Sequence, residues 1–195
     1  MKKAILFLFV LLTAGLMAQQ NMTFKGVEID GPLDKFVKAL EAEGFAREGE
    51  ENGVVVMRGD FAGYNDCEIA VISSEEDGGV DAVGVMFHER EEWPVIEVDY
   101  NRLKEMLTAK YGRPYPVVEE FQGRTFDDNK IKFSFLTSDR CKWISIFEMD
   151  RGRIELFMQQ TSEDKAAVIL KIEIHLHLSE VKKLNLILLS SNVLP

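Results

Sequence analysis

Three histidines are the residues of this chain best suited to binding a metal ion. His175 and His177 are two positions apart in an alternating segment, so a β-strand would project both imidazoles from one face. Imidazole nitrogens at this spacing suit zinc or copper, but a structural site needs about four ligands. The remaining histidine, His88, is distant in sequence. We favour a solvated strand face, because Lys171 and Glu173 share it, and we assign no metal and no cofactor.

Two groups of acidic residues have the side chains that a catalytic or calcium site needs. Neither group has the surrounding sequence pattern that such a site requires. The connector 89–92 carries three glutamates, but general acid–base catalysis needs carboxylates in a cleft with altered pKa values. The segment 60–68 contains four side chains with oxygen atoms suited to calcium, but it lacks the EF-hand spacing. We interpret the first as a solvated charge run and the second as a turn.

The two cysteines, Cys67 and Cys141, give no evidence of nucleophilic catalysis. Neither belongs to a C-x-x-C motif or has a histidine close in sequence. An even pair in an exported chain permits a disulfide, while two separate buried thiols are the favoured alternative. The chain also lacks G-x-S-x-G and the glycine-rich phosphate-binding motifs. We therefore assign no catalytic residue.

The first 18 residues have the pattern of a secretory signal. Lys2 and Lys3 precede an apolar run, 4–12, and small or polar residues follow as far as Ala18. The run is shorter than the roughly 20 residues that a membrane-spanning helix needs. The sequence predicts a signal peptide at 1–18, cleaved near Ala18. The product is expected to be periplasmic or secreted, with no membrane insertion after cleavage.

The chain is acidic, with a formal net charge of −10 over 195 residues. Removal of 1–18 takes away Lys2 and Lys3 and no acid, so the mature chain is more acidic still. Nucleic acid and anionic bilayers both require a positive surface, so neither is expected as the main partner. The length suffices for one core, or for two small units that share one.

An apparent internal repeat follows the signal. The segment 27–30 (VEID) recurs as 96–99 (IEVD), and each copy precedes a stripe of apolar residues at helical spacing. The stripes are Leu33, Phe36, Val37 and Leu40, and Leu103, Met106, Leu107 and Tyr111. We expect a first unit at 19–92, a second at 93–178 and an apolar C-terminal tail at 179–195 that contains a short helix.

Short alternating segments predict the strands of both units. The expected strands are 23–29, 52–59, 67–73, 80–88, 95–98, 116–121, 130–137, 141–148, 153–159 and 168–178. Asp99 is expected to cap the second helix, Gly44 to end the first, and the segment 127–129 to form a hairpin turn. The predicted fold is α+β, with two tandem units that each pack a helix on an antiparallel sheet of three or four strands.

Two segments, TFKGVEIDGPLDKFVKALEAEGF and YNRLKEMLTAKYGRP, resemble an uncharacterised family of small exported proteins of anaerobic Gram-negative bacteria. In that family one helix ends at Gly-Phe and a second at Lys-Tyr-Gly-x-Pro, which corresponds here to 110–114. The resemblance covers 22–170. It implies a tandem helix-on-sheet fold similar to that of β-lactamase inhibitory protein, and it implies no catalytic residue.

Aromatic side chains on the predicted strands favour a binding role. Recognition surfaces are rich in Trp, Tyr and Arg. On the strand 141–148 we expect Ile144 and Ile146 to face the helices, so that Trp143 and Phe147 face outward. The predicted binding surface comprises Tyr64, Trp93, Trp143, Phe147, Arg153 and Phe157.

The sequence thus predicts an exported, non-enzymatic binding protein. It would use a sheet face or its hairpin loops against a protein or glycan partner, with inhibition as one form of that activity. One alternative is a small metal-dependent envelope enzyme built around His88, His175 and His177. Another is an envelope component that self-associates through exposed strands.

Overall fold

The computed structural model of the protein describes residues 22–174. The predicted signal peptide, His175, His177 and the C-terminal tail lie outside these residues. The helices are Leu33–Ala42 (α1), Trp93–Tyr111 (α2) and Asn129–Leu136 (α3). The strands are Thr23–Phe24 (β1), Val27–Glu28 (β2), Ala46–Glu51 (β3), Val54–Phe61 (β4), Tyr64–Ser73 (β5), Val80–Met86 (β6), Val117–Phe121 (β7), Cys141–Met149 (β8), Gly152–Ser162 (β9) and Lys165–Ile174 (β10). None of the helices within 22–174 is long and apolar enough to cross a bilayer.

Eight of the strands form one continuous antiparallel sheet. Its order is β3-β4-β5-β6-β10-β9-β8-β7, and β1 pairs with β2 in a separate small hairpin. The strands that follow α1 occupy one half of the sheet, and those that follow α2 occupy the other. The halves join where β6 pairs with β10, from Ala82–Glu173 to Met86–Ile169. The predicted α+β class with an antiparallel sheet is confirmed.

The core lies between one face of this sheet and the helices α1 and α2. Buried side chains line up across the strands in two rows. One row comprises Val55, Val71, Val83, Ile172, Ile154 and Phe147, and the other comprises Met57, Ile69, Val85, Leu170, Leu156 and Ser145. We call this the helix face. The opposite side, the open face, carries partly exposed residues such as Val56, Met86 and Phe157.

Helix α1 follows the predicted pattern. Phe36, Val37 and Leu40 are buried on one stripe, as the spacing requires. Gly44 has a φ of +95°, which a residue without Cβ adopts at no steric cost. This geometry lets the Phe45 N–H donate to the Leu40 carbonyl (3.1 Å) and folds the buried Phe45 ring back towards the core.

Helix α2 begins earlier than expected. The segment 95–98 is not a strand and Asp99 is not a cap, because the helix already starts at Trp93 with Pro94 in its first turn. Its buried stripe, which includes Ile96 and Tyr100, has helical spacing. Val95 and Val98 are 42% and 64% exposed, so the apolar run that resembled a strand faces solvent on the helix. The two repeat segments therefore differ in structure: 27–30 is β2 and a loop, whereas 96–99 is helical.

Helix α3 replaces the strand expected at 130–137. The segment 127–129 is not a hairpin turn, because Asp128 is the N-cap of α3. One carboxylate oxygen of Asp128 accepts hydrogen bonds from the main-chain N–H groups of Lys130 (2.7 Å) and Ile131 (3.3 Å). The segment has the alternation of a strand, but it is helical because the Asp128 cap satisfies two N–H groups of the first turn.

In the N-terminal half, one predicted strand needs correction and one strand of the structure was not predicted. The expected strand 23–29 is a hairpin, with Lys25 and Gly26 at positive φ between β1 and β2. Strand β3 was not predicted, because all six of its residues are exposed and carry no apolar alternation. Its charged composition suits an edge strand, which must not pair with another chain.

Candidate functional site

The predicted binding surface does not form one patch. Tyr64, Trp93 and Phe147 are 7%, 1% and 3% exposed, so the structure places them in the core. Arg153 is half-buried on the open face, where its Nε lies 2.6 Å from Glu173 and 3.1 Å from Glu155. These three predicted contact residues are therefore not accessible, and Arg153 is held in ion pairs.

The orientation predicted for β8 was wrong. Trp143, Ser145 and Phe147 lie on the helix face, and Ile144 and Ile146 lie on the open face. The buried Ser145 Oγ lies 2.7 Å from the Tyr100 hydroxyl of α2, and the Trp143 ring meets Trp93 edge-on at 4.8 Å between centroids. Aromatic rings bury more apolar area than isoleucine, and the serine between them finds a hydrogen-bond partner. That combination decides which face is inside.

Two of the predicted residues, Trp143 and Phe157, meet at a cleft where β8 and β9 separate. The ladder between these strands runs only from Ile144–Phe157 to Met149–Gly152. Beyond it, 141–143 pair with β7, and 158–162 pair with β10. A cleft of about 840 Å³ opens there, which we call the β8–β9 cleft. Trp143 reaches it from the helix face and Phe157 from the open face.

Main-chain groups of both strands face this cleft. The main-chain groups of Ile146 point towards β7. The Ile146 carbonyl accepts from Tyr115 N–H (2.7 Å), and the Ile146 N–H donates to Pro116 O (3.1 Å). The N–H and C=O groups of successive residues in a strand point to opposite sides. Those of Cys141 and Trp143, at odd spacing from Ile146, therefore point towards β9. By the same alternation, Met158 and Gln160 point towards β8. The Ile144–Phe157 pair at the end of the ladder joins the Met158 N–H to the Trp143 carbonyl, and within the described residues no ladder pair between β8 and β9 lies beyond it.

The side chains of the β8–β9 cleft combine apolar and polar chemistry. Trp143, Phe157 and Leu136 supply apolar surface. Lys142, Glu155 and Gln159 supply donors and acceptors along the open side, and Gln160 supplies an amide on the helix side. Cys141 also lines the cleft, and burial, with a smaller contribution from Asp139, raises the pKa of its thiol to about 11. This thiol is therefore protonated near neutral pH and is a poor nucleophile.

An aromatic cluster supports the helix side of the cleft. Trp143 packs on Phe121 (4.8 Å between centroids), and Phe121 packs on Trp93 (5.2 Å). The Lys132 ammonium lies 6.0 Å from the Trp93 ring centroid. The Trp93 Nε1–H is buried without a hydrogen-bond partner in the described part of the chain. Packing against these rings, rather than hydrogen bonding, holds the indole in place.

The candidate catalytic and metal-binding residues do not converge within 22–174. No group of three or more His, Cys, Asp or Glu side chains there is arranged to hold a metal ion. His88 is exposed, and Glu89 lies 3.4 Å from the Lys165 ammonium. In the segment 60–68, the Asp66 N–H donates to Asp60 Oδ1 (3.1 Å), which is a turn contact. His175 and His177 lie outside the described residues.

The two cysteines are free thiols and cannot pair in this fold. Cys67 lies on β5 and Cys141 on β8, four positions apart in the sheet. At about 4.8 Å per strand, that places them roughly 19 Å apart, whereas a disulfide requires Cα atoms within about 7 Å. The disulfide interpretation was therefore wrong, and the alternative of separate thiols agrees with the structure.

Sequence reasoning missed the cleft itself, along with Lys142, Met158 and Gln160. The alternation of side chains continues through 141–143 and 158–160, so neither strand shows where its partner leaves it. Only the neighbouring strands reveal the separation, because β7 and β10 continue to pair with β8 and β9.

Comparisons with known proteins identify no relative of this chain. No protein-family model matches it, and neither the curated proteins nor the solved structures contain a significant match.

Proposed function

We propose that this chain is an exported, non-enzymatic binding protein that holds an extended segment of a protein partner in the β8–β9 cleft. One observation carries the proposal: the main-chain groups of Cys141 and Gln160, with the Trp143 N–H and the Met158 carbonyl, face a gap with no strand in it. Such groups pair with an added strand, which gives affinity through the main chain. Trp143 and Phe157 flank the gap and supply pockets for side chains of the bound segment.

Further features support binding over catalysis. The thiol in the cleft has a raised pKa, and the β9 carboxylate that lines the cleft, Glu155, is held by Arg153. The N-terminal pattern of the sequence supports export to the periplasm or medium. We also propose that the fold consists of two tandem units, since one helix precedes each set of four strands and the last strand of each set pairs at the centre.

A site-specific crosslinking experiment tests the cleft. Benzoylphenylalanine is placed at Phe157 in the mature protein, residues 19–195, and envelope and medium extracts of the host are irradiated with it. The matched control places the same group at Ile169, which pairs directly with Phe157 on the open face of β10 but does not line the cleft. We expect position 157, and not 169, to crosslink to one segment of one protein.

The captured segment is then synthesised and titrated against the protein. We expect Phe157→Ala to weaken binding at least tenfold and Ile169→Ala to leave it unchanged. A peptide that is N-methylated at alternate residues loses the main-chain donors of one edge and is expected not to bind. Equal crosslinking from both positions, or full affinity of both N-methylated registers, would refute strand addition. A crosslink to a second copy of the chain would support self-association instead.

A further inference from the structure

A second, apolar cleft lies between α2 and the β1–β2 hairpin and has no role in the proposed function. Its volume is about 280 Å³, and we call it the α2 cleft. The floor consists of core residues that are at most 4% exposed: Phe24, Leu103, Ile154, Leu170 and Ile172. The walls are Phe61, Ala62, Leu107 and Tyr111. An apolar cleft of this kind is the usual form of a small-molecule site.

The rim of the α2 cleft carries two lysines that have no carboxylate partner among residues 22–174. Within residues 22–174, neither the Lys25 nor the Lys110 ammonium forms an ion pair. They lie 5.9 Å from the Phe45 ring centroid and 4.7 Å from the Tyr111 ring centroid instead. Lys104, Lys165 and Lys171, by contrast, are each paired with a glutamate. Two unpaired cations beside an apolar cleft complement a ligand with an apolar body and an anionic head.

Local backbone geometry positions one of these cations. Lys25 and Gly26 have φ values of +52° and +82°, which makes the β1–β2 turn tight and brings Lys25 to the rim. Lys110 comes from the last turn of α2, one residue before the helix ends at Tyr111. The two ammonium groups thus belong to elements that flank the cleft.

The volume limits the ligand to a single short chain. A methylene group occupies about the volume of a water molecule in the liquid, about 30 Å³, so the cleft holds about nine methylenes. We propose that the α2 cleft binds a medium-chain fatty carboxylate, close to decanoate in length, with its carboxylate between Lys25 and Lys110. A free fatty acid and the acyl chain of an anionic lipid share this chemistry, and the free acid is the ligand that we propose.

Calorimetric titration of residues 19–195 with octanoate, decanoate, hexadecanoate and decanol tests the proposal. Affinity should rise about fourfold per added methylene from octanoate to decanoate, and hexadecanoate should gain nothing further because the cleft is full. Decanol should bind at least tenfold more weakly than decanoate. Decanol binding as tightly as decanoate, or no decanoate binding at all, would overturn the proposal.

Variants locate the site. Lys25→Ala with Lys110→Ala should weaken decanoate at least tenfold, while Lys35→Ala with Lys38→Ala, on the exposed side of α1, removes the same charge and should change nothing. Leu107→Trp should fill the cleft and abolish binding, with circular dichroism confirming that each variant is folded. Equal affinity in both lysine double variants would refute the site. Binding to phosphatidylglycerol vesicles without binding to free decanoate would also refute it and indicate a lipid surface instead.

Discussion

Tyr64, a residue expected at a binding surface, instead connects the first half of the sheet to α2. Its hydroxyl donates to Asp99 Oδ1 of α2 (2.9 Å), and the Arg90 Nε donates to the other oxygen (2.7 Å). The Arg102 guanidinium lies 5.3 Å from the Tyr64 ring centroid. Tyr64 follows the turn between β4 and β5, so this network connects the first half of the chain to α2.

Burial, followed by the hydrogen bond to Asp99, raises the pKa of Tyr64 to about 12. In the unfolded chain the phenol titrates near its ordinary value of about 10. The unfolded chain therefore loses this proton first. The contribution of Tyr64 to the free energy of unfolding is complete below pH 10 and declines as the pH rises from about 10 to about 12.

We expect Tyr64→Phe to make the decline between pH 10 and 12 shallower, as measured by urea unfolding at several pH values in that window. Tyr100, whose pKa burial also raises, remains in the variant, so part of the decline should persist. Tyr115→Phe is the matched control, because Tyr115 is 82% exposed. Identical pH slopes in the wild type and in Tyr64→Phe would contradict this assignment.

At the scale of elements, α3 shows how a single cap overrides a strand-like pattern. The segment 130–137 contains alternating apolar residues, and the aromatic rings of Phe133 and Phe135 favour strands by propensity. The Asp128 carboxylate nevertheless satisfies two N–H groups at the start of the helix, and Leu136 is buried at its end. The helix then returns the chain to Cys141 and the β8–β9 cleft.

Removal of this cap has a defined cost. We expect Asp128→Ala to lower the free energy of unfolding by about 1 kcal/mol, because two N–H groups of α3 lose their acceptor. Asp127→Ala removes the same charge from the neighbouring exposed position and should change stability by less than about 0.5 kcal/mol. Chemical denaturation of both variants is the measurement. Equal effects would mean that charge, and not capping, stabilises α3.

At the scale of the whole molecule, the eight-stranded sheet makes the two halves one structure. β6 and β10 pair over five residues at the centre, and the buried rows of the helix face cross this junction without interruption. A core that is shared in this way should unfold in one step. The chain offers a direct test, because both of its tryptophans, Trp93 and Trp143, lie in the second half.

We expect the tryptophan fluorescence and far-ultraviolet circular dichroism transitions to coincide in urea. Val71→Ala, a buried change on β5 in the first half, should lower the free energy of unfolding by about 2 kcal/mol. It should shift both transitions equally, although no tryptophan lies in that half. A shift seen by circular dichroism but not by fluorescence would show that the halves unfold independently.

Helix α1 and most strands could be predicted from the sequence because their determinants are local. The stripe that contains Phe36 and Leu40, the stop at Gly44 and the alternation in β5 and β9 involve neighbours within a few residues. The α+β class follows from the same information. Segments that satisfy two patterns at once, such as 95–98 and 130–137, were assigned wrongly, because propensity alone does not weigh a cap or a proline against alternation.

The tertiary structure alone decided which face of β8 is buried and where β8 leaves β9. Alternation specifies that Trp143 and Phe147 share a face, but only contact with Trp93 and Tyr100 on α2 determines that this face is inside. The β8–β9 cleft depends on pairing with β7 and β10, which are distant in sequence, and the α2 cleft depends on the approach of a hairpin to a helix. Pairing and packing between remote segments leave no local pattern in the chain, so the sequence determined most of the elements and the structure determined the candidate sites.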